Sequence, residues 1–201
     1  MGPGLGTGER ALEQLKCALA SRADRSVLLD ADALTLLAGS GEGQWDRLVD
    51  GHVLITPHPG EMARLTGRSI EDVQSDRLGA ARRFAAEKGI ATLLKGTPSV
   101  VAGADNSVWV DGAGSSDLAV AGMGDVLTGT AGALLAQGLG AEEAACVALY
   151  LTGHGARQAA LGASLTPSDV VERMAEALLP RGNGYTDLPF PFVTFDQDPS
   201  D

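Results

Sequence analysis

Val53-Leu54-Ile55-Thr56-Pro57-His58-Pro59-Gly60-Glu61 is a short apolar run that stops at a turn stiffened by two prolines. The same grammar recurs at Val27-Leu28-Leu29-Asp30-Ala31-Asp32 and at Thr92-Leu93-Leu94-Lys95-Gly96. Runs of this kind, each closed by Gly, Pro, Asp or Asn, read as buried strands. Further strands are expected at Val100–Ala102 and Ser107–Val110. Between and after them lie longer patterned segments that read as helices: Glu9–Ala20, Glu61–Leu65, Val73–Lys88, Asp125–Gln137, Glu142–Ala160 and Pro167–Leu179. Thr166 is placed to cap the last of these. Strands alternating with helices specify an α/β layered fold around a mostly parallel sheet.

The chain has 201 residues, 44% hydrophobic and 20% charged, enough to bury a substantial core. A formal net charge of -11 is the wrong sign for a surface that grips a phosphate backbone, so nucleic acid is not an expected partner. Cys17 and Cys146 lack metal-ligand spacing and point to a reducing compartment, and no stretch is apolar enough to span a bilayer; cytoplasmic residence without a membrane partner is expected. The helices from Asp125 and Glu142 are rich in Gly and Ala and are expected to pack closely. Trp45 and Trp109 read as packing, as do His52 and His154. From Asn183 to Asp201 the pattern dissolves into Pro, Asp and isolated aromatics. This acidic tail, apart from a domain over 1–182, is expected to be disordered or laid over a neighbour's surface.

Five segments carry the chemistry. In Ala121-Gly122-Met123-Gly124-Asp125-Val126-Leu127-Thr128-Gly129, a Gly-x-Gly-Asp turn opens a helix. Glycines let successive N–H groups turn inward, and the amino end of a helix adds partial positive charge, so Gly122, Met123 and Gly124 can face a phosphoryl group. Asp125 then stands where it can take a proton from an attacking hydroxyl. An Asp that merely favours a helix start by charge gives the same pattern, and both readings stay open here. Lys95-Gly96-Thr97-Pro98-Ser99 follows a strand at the end where ligands bind in open α/β sheets, as does a simple turn with a solvated Lys. The loop Thr56–Glu61 presents His58 and Glu61 on a rigid support, or is a rigid turn with Glu61 at a helix start. Asp30 and Asp32 can orient polar ligand groups or a hydrated Mg²⁺, or cap the turn that follows. Gly2-Pro3-Gly4-Leu5-Gly6-Thr7-Gly8 allows close approach of a ligand to the backbone, or is a flexible terminus.

In this order, the five segments resemble the ADP- or ATP-dependent NAD(P)H-hydrate dehydratases, a branch of the ribokinase-like superfamily. Related sugar and vitamin kinases share the Gly-x-Gly-Asp turn but not the Thr-Pro-His-Pro-Gly-Glu run. The resemblance implies a ribokinase-like three-layer α/β/α fold and nucleotide-driven removal of water from hydrated nicotinamide cofactors. Its implied cofactors are ADP or ATP with Mg²⁺. Asp125 would be the general base. Gly122, Met123 and Gly124 would bind the transferring phosphoryl group. Lys95, Gly96, Thr97, Pro98, Ser99 and Gly124 would border the nucleotide. Gly4, Leu5, Gly6, Asp32, His58 and Asp125 would contact the hydrated NAD(P)H, and Glu61 would reach Mg²⁺ through water. Thr35 stands where the family usually has Asn, and Gly114-Ser115-Ser116-Asp117 replaces a more usual Asn-Pro-Gly approach. The family carries several βα elements before Gly-Pro-Gly-Leu-Gly, whereas here Met1 directly precedes it, so the domain is expected to be incomplete at its amino end. Homo-oligomers are expected, both from the family and from the sheet edge such a loss would expose. A vitamin-precursor kinase of the same superfamily, or a nucleotide-binding fragment without activity, are the competing functions.

Overall fold

A computed structural model describes residues 1–41 and 49–178, with the backbone of 192–194. Trp45, Leu179 and the rest of the 183–201 tail lie outside the described residues. The elements in chain order are α1 (Glu9–Ala20), β1 (Val27–Leu29), α2 (Asp32–Gly39), β2 (Val53–Ile55), α3 (Pro59–Thr66), α4 (Ile70–Ser75) and α5 (Arg77–Lys88). They continue with β3 (Ala91–Leu94), β4 (Val100–Ala102), β5 (Val108–Asp111), α6 (Met123–Ala136), α7 (Ala141–Ala159), α8 (Pro167–Met174) and β6 (Phe192–Thr194).

The sheet runs in the order β1-β2-β3-β4-β5-β6. β1, β2 and β3 are parallel, and each later strand is antiparallel to its neighbour, so β5 shares their direction while β4 and β6 oppose it. Alternation along the strands divides the core in two. Leu29, Val53, Ile55, Leu94, Val100 and Ala102 face the helices α1, α2, α3 and α5. Leu28, Leu54, Leu93 and Val101 face α6 and α7. Side chains of period two feed two apolar faces, and the result is three layers. Trp109 packs half-buried on the second face, as expected from the sequence. Ile55 is fully buried among well-packed neighbours. Ile55→Val is therefore expected to cost about 1 kcal/mol of stability, read as a lowered urea midpoint with an unchanged denaturant slope.

Local chemistry explains where the elements begin and end. Thr166 accepts from the Asp169 N–H and Asp169 answers at the Thr166 N–H, the capping arrangement expected for α8. The single helix expected over Val73–Lys88 is divided. Asp76 leaves helical geometry (φ −142°, ψ 67°), ends α4 and caps α5 by accepting from the Gly79 N–H at 2.9 Å. α2 was not legible, because eight nearly all-apolar residues show no polar face, and Ala33, Leu34, Leu36 and Leu37 are all buried. Of the tail only Phe192–Thr194 is described, and these three residues pair with β5 of their own chain, Trp109 opposite Thr194 and Asp111 opposite Phe192, where disorder or a neighbour's surface was expected.

The small-residue surfaces divide as well. On α7, a side chain at Gly153 would meet the Ala113 carbonyl at 2.9 Å, and one at Gly155 the Val170 carbonyl at 2.7 Å. On α6, Gly129 and Gly132 face open space among the described residues, and Ala131 makes the close contact with α7 instead. His154 is buried in α7 with its ring 5.8 Å from Tyr150, and His52 lies in the turn before β2, its carbonyl accepting from the Val27 N–H.

Candidate active site

Three parallel strands deliver polar residues at their carboxyl ends. Asp30 follows β1, Thr56 to His58 follow β2, and Lys95 follows β3. The Lys95 N–H donates to the Pro57 carbonyl at 2.8 Å, which joins the last two. Across from them stands the amino end of α6, whose cap Gly122 has φ 87°, a conformation that costs glycine nothing. The Thr128 hydroxyl, one turn into α6, donates to Asp30 Oδ2 at 2.6 Å, and the Lys95 ammonium binds Asp30 Oδ1 at 2.7 Å. Strand ends and helix are thereby fixed relative to one another.

The loop after β3 is held from outside. Arg77 of α5 donates to the carbonyls of Leu94 (3.3 Å), Lys95 (2.9 Å) and Pro98 (3.1 Å). Burial lowers its guanidinium pKa below the usual value. Inside the loop, the Ser99 hydroxyl donates to the Gly96 carbonyl at 2.9 Å. On the facing side, the buried Asp111 accepts from the N–H groups of Ala113 (2.7 Å) and Gly114 (3.1 Å) and shapes the segment leading to the α6 turn. Burial raises the Asp111 carboxyl above its ordinary value, those two N–H groups opposing the shift.

Between these parts lies a cavity of about 290 Å³, lined by His58, Lys95, Gly96, Asp111, Met123 and Gly124 among others. Thr97 and Ser99 also line it, whereas Pro98 between them does not. His58 and the Met123-Gly124 part of the turn, 65 residues or more apart in sequence, thus border one space. Asp125 is exposed and follows the lining Gly124 directly, without itself being a lining residue. Of the three amides expected to face a phosphoryl group, that of Met123 already donates to the Val120 carbonyl at 3.1 Å. Those of Gly122 and Gly124 have no partner among the described residues.

Two expected groups serve structural ends as well. His58 caps α3, its Nδ1 accepting from Gly60 (3.0 Å) and Glu61 (3.3 Å) N–H groups. Glu61 is buried and turned back on His58, Oε2 accepting from the His58 N–H at 2.8 Å and Oε1 lying 3.5 Å from Nε2. Gly4, Leu5, Gly6 and Asp32 are not among the residues lining the cavity: Asp32 Oδ2 accepts from the Gly6 N–H at 2.8 Å, and the Leu5 N–H donates to the Gly2 carbonyl at 2.9 Å. Among the described residues no group of three His, Cys, Asp or Glu side chains can hold a metal. A Mg²⁺ here fits only as a guest of nucleotide phosphates, with a carboxylate or two in support.

A second cleft of about 350 Å³ lies at the carboxyl ends of α2, α3 and α5, among Arg64, Arg68, Arg83 and Lys88. None of the expected site residues borders it, and cations at helix carboxyl ends complement the helix dipoles. Burial, with Asp111, Glu142 and Glu143 adding negative charge, pushes the Cys146 thiol up to about 12, which disfavours its thiolate form. No helix among the described residues is long and apolar enough to cross a membrane.

The family model described as NAD(P)H-hydrate dehydratase matches residues 1–176. The chain belongs to that family. Among NAD(P)H-hydrate dehydratase relatives, it is 43% identical over 158 residues to the ADP-dependent (S)-NAD(P)H-hydrate dehydratase of Neisseria meningitidis. That alignment covers 78% of this chain and 53% of the relative, so the chain spans about half of that protein's length. The ADP/ATP-dependent NAD(P)H-hydrate dehydratase of Bacillus subtilis, co-crystallized with ATP/Mg²⁺ and soaked with CoA, superposes with a TM-score of 0.77 at 30% identity, over 89% of this chain and 64% of that one. A ribokinase-like superfamily protein of Enterococcus faecalis gives 0.74 at 27%, over 88% and 62%. The ribokinase-like three-layer fold expected from the resemblance is therefore present.

Proposed function

We propose that the chain removes water from hydrated NAD(P)H at the expense of ADP or ATP, restoring NAD(P)H and releasing inorganic phosphate. The observation that carries this reading is the single cavity shared by His58, the Lys95 loop and the amino end of α6, in a chain 43% identical to an ADP-dependent dehydratase.

Asp125 takes the proton of the hydrate hydroxyl as that oxygen bonds to the terminal phosphorus and the bridging P–O bond breaks. The unengaged amides of Gly122 and Gly124, with the Lys95 ammonium, meet the negative charge on the phosphoryl oxygens. The phosphate ester then breaks at its C–O bond: inorganic phosphate leaves with the electron pair while the proton on the neighbouring ring carbon passes to solvent, which restores the dihydronicotinamide double bond. Gly96 to Ser99 border the nucleotide, with Lys95 at its phosphate end. His58 faces the hydrated cofactor, with Gly4, Leu5, Gly6 and Asp32 at its far side. Glu61 belongs to this reading through water on a Mg²⁺ carried by the nucleotide. A single domain over 1–182, residence in the cytoplasm and association into a homo-oligomer are part of the same proposal.

Product analysis separates this reaction from that of a small-molecule kinase. With hydrated NADH, ATP and Mg²⁺, one inorganic phosphate is expected for each hydrate consumed, with no phosphorylated alcohol accumulating. A stable phosphoryl product from a thiazole or pyrimidine alcohol would reverse the assignment.

A further inference from the structure

The Asp30 side chain is 3% exposed, and both carboxylate oxygens are committed to groups from other elements, Lys95 Nζ at 2.7 Å and Thr128 Oγ1 at 2.6 Å. Lys95 is less buried, at 19%, and a methyl group added at Gly124 would lie 3.7 Å from its ammonium. One donor of the ammonium is thus tied to Asp30 while the charge itself stands beside the amino end of α6. A lysine is a compact charge on a flexible four-carbon stem, and without an anchor it samples many positions. A buried ion pair is also a weak way to stabilise a fold, since desolvation offsets most of the attraction. Asp30 is in addition held by its neighbours. Ala31 adopts φ 49° and ψ −120°, strained for a residue with a side chain, and on its other side Asp32 reaches the Gly6 N–H. The strain keeps two carboxylates, two positions apart, turned to different partners.

We propose that Asp30 is a positioning residue that fixes the Lys95 ammonium at the amino end of α6, where it meets the terminal phosphoryl group of a nucleoside polyphosphate, with Thr128 locking the carboxylate in place. The identity of the ligand rests on the function proposed above; the aim of the ammonium rests on the coordinates.

The test compares wild type with Asp30→Asn, Lys95→Met, the double variant, Thr128→Val and Thr128→Ser. Binding of ADP, inorganic pyrophosphate and adenosine is measured by calorimetry, and kcat and KM with hydrated NADH. Asp30→Asn is expected to weaken ADP and pyrophosphate about 10-fold or more, to leave adenosine within about 2-fold, and to lower kcat about 100-fold. Added to Lys95→Met, it is expected to lower kcat by less than about 3-fold further, because the two act as one unit. Thr128→Val gives a smaller loss in the same direction, and Thr128→Ser recovers most of it. Equal loss of adenosine and pyrophosphate, or penalties that multiply in the double variant, would overturn the proposal. Should Asp30→Asn not fold, the Thr128 pair and the double variant, which removes both charges, carry the same contrast. Wild type that turns over no hydrate with either nucleotide would defeat the proposed function, while pyrophosphate against adenosine still decides the role of Asp30.

Discussion

Asp125→Asn is expected to lower turnover of hydrated NADH by about 10³-fold while changing ADP affinity by less than about 3-fold. Asp125 is the third residue of α6, exposed, with no hydrogen bond to its carboxylate among the described residues. Neither the helix nor the cavity wall depends on that side chain. Asn has the same shape and fits the same helical position, but it cannot take up a proton at neutral pH. The loss therefore falls on the chemical step, and steady-state kinetics beside equilibrium nucleotide binding separate the two. A mutant that binds and turns over as wild type does would remove Asp125 from the mechanism. Wild type and mutant that both bind ADP, with neither turning over, would mark a nucleotide-binding fragment.

Gly96→Ala is expected to weaken ADP binding by about 100-fold and to cost about 1–3 kcal/mol of global stability. Gly96 has φ 145°, a conformation L side chains rarely adopt, and a methyl group there would lie 2.5 Å from an Arg77 guanidinium nitrogen. Relief requires either the backbone of the loop or Arg77 to move. Arg77 holds the carbonyls of Leu94, Lys95 and Pro98, so its displacement releases the segment proposed to border the nucleotide. Lys95 to Ser99 are not members of the main apolar clusters, but Leu94 and Val100 on either side are, so the strain is felt at the end of the core as well as in the loop. Calorimetric titration with ADP, beside a thermal unfolding curve, checks both halves of this expectation. An affinity within a few-fold of wild type would show that the loop shape is not what binds.

The strands were the most legible part of the fold. β1, β2 and β4 occupy the same residues the apolar runs mark, because each run is closed by a residue that a buried strand excludes. α2 was hidden by its uniform apolarity, and the break at Asp76 by the continuity of the pattern across it. β6 was hidden because three residues in a Pro- and Asp-rich stretch show no alternation against so short a partner. At the site, the Lys95 loop and His58 were visible as motifs after strands, and the Gly122 turn as the opening of a helix. Their supports were not. Arg77 reaches 17 to 21 residues along the chain, and Thr128 reaches 98 residues back to Asp30, distances at which local patterns are silent. Glu61 shows the opposite case: the spacing from His58 that suggested a metal role is also that of a helix capping box, and the second signal was there to read.

In the proposed reaction, Asp125 and His58 act on the hydrated cofactor while the Lys95 ammonium meets the phosphoryl group transferred to it. The most direct measurement is the absorbance of the dihydronicotinamide when purified protein is mixed with hydrated NADH, Mg²⁺ and either ADP or ATP. Absorbance that returns only when nucleotide is present, and fails to return with Asp125→Asn, is the predicted result. Hydrated NADH left unchanged by protein that binds the nucleotide would contradict it.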